Sequence, residues 1–67
     1  MTTSEDERCR RLRHDLRTPL TIVSGFAEVL AADRVISDAD RREYASRIHA
    51  AALEIGELVD QLLQEPG

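Results

Sequence analysis

The stretch Leu12-Arg13-His14-Asp15-Leu16-Arg17-Thr18-Pro19-Leu20-Thr21-Ile22-Val23 decides the fold. Its leucines stand at 12, 16 and 20 and are followed by Val23, steps of four and three that return to one side of an α-helix and not to one side of a strand. Followed outward, the same line takes in Cys9 upstream and Ala27 and Leu30 downstream, which predicts one helix from about Ser4 to about Ala32. A second line, through Tyr44, Ile48, Ala51, Ile55, Leu58 or Val59, and Leu62, predicts another from about Asp38 to Gln64.

Between the two lies Asp33-Arg34-Val35-Ile36-Ser37, a connection short enough to lay the helices antiparallel and side by side. The expected fold is all-α, a two-helix hairpin forming a single domain over residues 1–67. Ser37 before Asp38-Ala39-Asp40 suits an N-cap with carboxylates in the first turn, where the helix dipole favours negative charge. Pro66 and Gly67 are expected to end the second helix.

Size limits what such a hairpin does alone. A chain of 67 residues is one small domain at most, too short for a large self-contained enzyme. Cys9 is the only cysteine, so no disulfide framework exists, and His14 and His49 lack the spacing of a metal site. Two amphipathic helices facing only each other leave half of each apolar stripe in water, which a two-fold homodimer would cover as a four-helix bundle. Leu12, Leu16, Leu20, Val23, Leu30, Ile48, Ile55, Val59 and Leu62 are the expected core of that dimer. The competing reading is a segment that is helical only inside a larger protein.

Nine basic residues, all arginine, against 13 acidic ones give a net charge of −4, which argues against nucleic acid as a partner. No apolar run approaches the ~20 residues that span a bilayer, and no charged-then-apolar leader follows Met1. The expectation is a soluble, cytoplasmic chain without direct membrane contact.

At ~100° per residue, His14 lies ~160° from the line through Leu16, and Thr18 lies as far away on the other side. Both point outward. Thr18, Thr21 and Gly25 continue a small, polar track from the imidazole. Asp15 stands beside His14, where its carboxylate can accept a hydrogen bond from one ring nitrogen and leave the other unprotonated and nucleophilic. Pro19 in a helix interior lacks an amide donor and crowds the carbonyl of Asp15, at ~3 kcal/mol. A bend or loosened turn after His14 is expected, the alternative being a helix break with Pro19 in the first turn of a new helix.

His14-Asp15-Leu16-Arg17-Thr18-Pro19-Leu20 resembles the H-box of sensor histidine kinases, in their dimerisation and histidine-phosphotransfer domain. The two-helix layout matches that domain nearly end to end. The resemblance implies that His14 accepts the γ-phosphoryl group of ATP on Nε2 and passes it to an aspartate of a response-regulator receiver domain. It implies that Asp15 holds the Nδ1 proton, that Thr18 orients a water for removing phosphate from the receiver, and that Arg17 steadies phosphate. Pro19 would be the bend that accompanies switching between these activities.

The glycine-rich and asparagine-containing boxes of the family's ATP-binding domain are absent from the sequence. ATP and Mg²⁺ would therefore be held by a separate catalytic domain, no cofactor or metal is expected on this chain, and it should not hydrolyse ATP alone. The parent protein is compatible with a membrane anchor elsewhere. Two rivals stay open: a stand-alone phosphotransfer protein of a phosphorelay, and a helical dimerisation module without chemistry.

Other features have two readings each. Arg8, Arg10, Arg11, Arg13 and Arg17 make the region around His14 basic, suited either to steering an acidic receiver pocket or to a merely solvated face. Thr21, Ile22, Gly25 and Val29 form the expected receiver-docking face, although Ile22 and Val29 also fit a broad bundle arc. His49 reads as a surface histidine, and Cys9 as a packing residue of the first seam.

Overall fold

A computed structural model describes residues 3–64. Helix α1 spans Thr3–Ala31 and helix α2 spans Asp38–Gln64. They lie against each other as an antiparallel hairpin, and the described residues contain no strand. The all-α hairpin is therefore what the 3.6-residue periodicity produces. Pro66 and Gly67, expected to end α2, lie outside the described residues.

Local chemistry sets the helix ends. The amide of Asp40 donates to Oγ of Ser37 at 3.0 Å, and the amide of Arg41 donates to the Ser37 carbonyl at 2.9 Å. Ser37 is thus an N-cap, satisfying one of the free donors of the first turn. Asp38 and Asp40 occupy that turn, and the Arg41 guanidinium donates to Asp38 at 2.8 Å. Helix α1 runs through Pro19 without interruption, which excludes a helix break there.

Phe26 of α1 stacks on Tyr44 of α2, with ring centroids 5.1 Å apart and planes at 28°. That pair fixes the register. Seven residues further from the loop on each helix stand Pro19 and Ala51, the two buried residues among those described. A small alanine opposite a proline ring lets the helices close at this level, where a larger side chain would hold them apart.

The contact line differs from the periodic line in the sequence. The side chains of α1 that turn toward α2 are Arg8, Leu12, Leu16, Pro19, Val23, Phe26 and Leu30, all half-buried or buried. Cys9, Leu20 and Ala27 are exposed in the hairpin, so α2 does not cover them. The apolar arc of α1 is wider than one helix can cover, and α2 takes its Leu12–Pro19–Phe26 side. On α2, Leu58 turns inward and Val59 stays 38% exposed.

The uncovered residues are not scattered. Leu20 and Ala27 on α1, and Ala45, Ala52, Val59 and Leu63 on α2, all lie ~60–100° off their helix's contact line in the same rotational sense. In antiparallel helices that places them on one face of the hairpin. With principal extents of 52 × 18 × 11 Å the hairpin is one layer of helix thick, and no other element among the described residues covers this apolar face.

Candidate functional site

His14 sits just before the middle of α1, ~155° from the line that meets α2. Its side chain is 86% exposed, and that of Asp15 is 45% exposed. Nδ1 of His14 lies 3.5 Å from Oδ1 of Asp15, at the long end of hydrogen-bond range. This contact is the one that would place a proton on Nδ1 and leave Nε2 with its lone pair available. Asp15 also borders a recess with Arg11, Leu12, Leu58 and Leu62 where the two helices meet, while the imidazole reaches into water.

Thr18, one turn after His14 on the same side, is exposed, as are Arg17 and Thr21. The structure brings Thr21, Ile22, Gly25 and Val29 together along one shallow groove closed by Phe26. Gly25 makes that groove, because a Cβ there would meet no atom within 4 Å and nothing else fills the space. Ile22 is 37% exposed and Val29 is half-buried. Both lie nearer the helix contact than ~120–140°, because the true contact line is turned toward them from Leu16. A second open groove, lined by Arg13, Arg17, Leu20, Thr21, Ser24 and Glu28, runs beside the first.

Phe26 was not legible as a site residue from the apolar line, which passes through Ala27 instead. Its spacing of seven from Pro19 is the signal that finds it. Arg10 and Arg11 border a concavity together with His14 and Glu7, a grouping implicit in their positions four and three residues before the histidine. His49 is exposed on α2 and forms no ion pair with a carboxylate among the described residues. Among the described residues no cluster of three or more His, Cys, Asp or Glu could hold a metal ion.

An exposed histidine with a carboxylate at Nδ1, followed by Arg-Thr-Pro on an unbroken helix of a hairpin, lies inside a match to the His Kinase A (phospho-acceptor) domain that spans residues 7–65. The chain belongs to that family. Sensor protein KdpD of Escherichia coli (strain K12) is 42% identical over 52 residues, which cover 78% of this chain and 6% of that protein. Sensory/regulatory protein RpfC of Xanthomonas campestris pv. campestris is 40% identical over 52 residues, covering 78% of this chain and 7% of that protein. No solved structure matches. The His Kinase A domain thus spans well under a tenth of the length of the curated relatives it matches. No helix among the described residues is long and apolar enough to cross a membrane.

Proposed function

We propose that this His Kinase A domain dimerises through its uncovered apolar face and carries a phosphoryl group on His14 between a kinase domain and a receiver. Nε2 of His14 attacks the γ-phosphorus of ATP, the bond to the bridging oxygen breaks, and ADP leaves with the electron pair. ATP and Mg²⁺ are held by a separate ATP-binding domain. A response-regulator aspartate then takes the phosphoryl group from Nε2. The setting is cytoplasmic, within a longer sensor kinase.

The observation that carries this reading is the pairing of an 86% exposed imidazole with a carboxylate 3.5 Å from Nδ1, within the matched family segment. Phosphoryl transfer asks the protein chiefly for positioning and charge stabilisation, and a histidine on a stiff helix provides the first. Asp15 keeps the proton on Nδ1. Arg17, one turn on, steadies the phosphoryl oxygens. Thr18 orients the water that removes phosphate from the receiver, and the groove of Thr21, Ile22, Gly25 and Val29 docks that receiver beside it. Pro19, buried against α2, is the point at which the histidine end of α1 turns relative to the rest.

The test is transfer. The chain is loaded with phosphate by phosphoramidate, freed of donor, and mixed with purified receiver domains, with both masses followed. Loss of one phosphoryl from His14 matched by gain on the receiver is expected, and His14→Gln gives neither. A load on His14 that no receiver removes contradicts the transfer role and favours a dimerisation module.

A further inference from the structure

On an α-helix the side chains that border a residue are those three and four positions before and after it. For His14 these are Arg10, Arg11, Arg17 and Thr18, three guanidinium groups and a hydroxyl. All four are exposed, and they lie on both sides of the imidazole. Arg10 and Arg11 share one open concavity with His14, and Glu7 is its remaining wall.

Two of the three arginines of α2 are held in ion pairs, and Arg42 forms no such pair among the described residues. Arg41 and Arg47 are held by Asp38 and Glu43 at 2.8 and 3.3 Å. Arg10, Arg11 and Arg17 form no such ion pair among the described residues, although Glu7 stands three and four positions before the first two. Their charge is therefore not spent on a neighbour. A guanidinium is always charged and presents a planar fork of donors that matches the oxygens of a phosphoryl group.

Resting on the phosphoacceptor role of His14, we infer that Arg10 and Arg11, with Arg17, form a phosphoryl-binding rim that draws an anionic phosphoryl donor to Nε2 and grips its oxygens during transfer. With phosphoramidate as donor, Nε2 forms the new P–N bond while the donor's P–N bond breaks. Ammonia leaves with the bonding pair, and Nδ1 keeps its proton against Asp15. The rim contributes charge and hydrogen bonds and no covalent step. Arg10 and Arg11 are positioning residues for the donor, and Glu7 opposes them.

A unit charge ~7 Å from an anion in water raises its local concentration about twofold at low salt, so two arginines together give about fivefold. At ~1 M salt the screening length falls to ~3 Å and the advantage disappears. The experiment measures the rate of His14 phosphorylation by phosphoramidate in the 67-residue chain, in Arg10→Gln/Arg11→Gln and in Glu7→Gln, at ~0.01 M and ~1 M salt. Diethylpyrocarbonate, a neutral reagent for imidazole, is run beside it.

The rim predicts about a fivefold slower reaction for the double variant at low salt, equal rates at high salt, a faster reaction for Glu7→Gln, and unchanged acylation by diethylpyrocarbonate. Phosphorylation of His14 at the same rate in the double variant overturns the rim and leaves the phosphoacceptor role standing. Equal slowing with diethylpyrocarbonate also overturns it, since the variant would then have altered the imidazole itself. No phosphate on His14 in the unsubstituted chain overturns the role and the rim together.

Discussion

Replacing Leu20 by alanine should weaken a dimer of this chain by about 30-fold while leaving the hairpin folded. Leu20 is 51% exposed in the single hairpin, on the face it shares with Val59 and Leu63. Full burial of a leucine side chain stabilises by about 1.5–3 kcal/mol, so covering its remaining half is worth about 1 kcal/mol. Two-fold symmetry counts that contribution twice, about 2 kcal/mol for the dimer, which is about 30-fold in the dissociation constant. Analytical ultracentrifugation over a concentration series measures that constant directly. Leu53 is the control, because it is 57% exposed but lies ~180° from the line of α2 that meets α1, on the far side of the hairpin. Leu53→Ala should leave association unchanged. Equal dissociation constants for Leu20→Ala and the unsubstituted chain, or equal weakening by Leu53→Ala, would refute the assignment of this face.

Three further outcomes follow from the geometry. Ala51→Leu forces bulk against the buried Pro19 level and should cost about 1–3 kcal/mol, read as a lowered thermal midpoint by circular dichroism; an unchanged midpoint would mean the helices are not closed there. Ser37→Ala removes the acceptor for the Asp40 amide and should cost about 1 kcal/mol in a urea titration, whereas Ser37→Gly should cost only a few tenths. Asp15→Asn should slow phosphorylation of His14 about tenfold, less than the 10² or more of a well-formed acid–base contact, because the carboxylate is 3.5 Å away and partly solvated; no slowing would remove its orienting role.

The hairpin was legible because helical periodicity, a short connection and the Ser37 cap agree, and each is a local property of the chain. The choice of contact line was not. Leu16, Val23 and Leu30 belong both to the line through Pro19 and Phe26 and to the line through Leu20 and Ala27, so composition alone does not say which one faces α2. Steric fit decides it. The Phe26–Tyr44 stack and the Pro19–Ala51 level are matched across the hairpin, and matching between distant residues leaves no trace in the spacing along one helix.

The outward placement of His14 and Thr18 follows from helix geometry and does not depend on that choice, since both lie more than ~110° from either line. The details around them needed coordinates. Half-burial of Val29 follows from the rotated contact line, and the open groove beside it follows from the missing side chain at Gly25. The basic stretch was visible as composition, yet only the structure shows Arg10 and Arg11 sharing a concavity with His14.

The most direct measurement is site mapping of phosphate by intact and fragment mass after exposure of the chain to phosphoramidate, with His49 as the internal standard. Both histidines are exposed, so access alone predicts equal modification. A primed phosphoacceptor at His14 predicts acid-labile phosphate there in clear excess over His49. Equal modification, or none on His14, would contradict it.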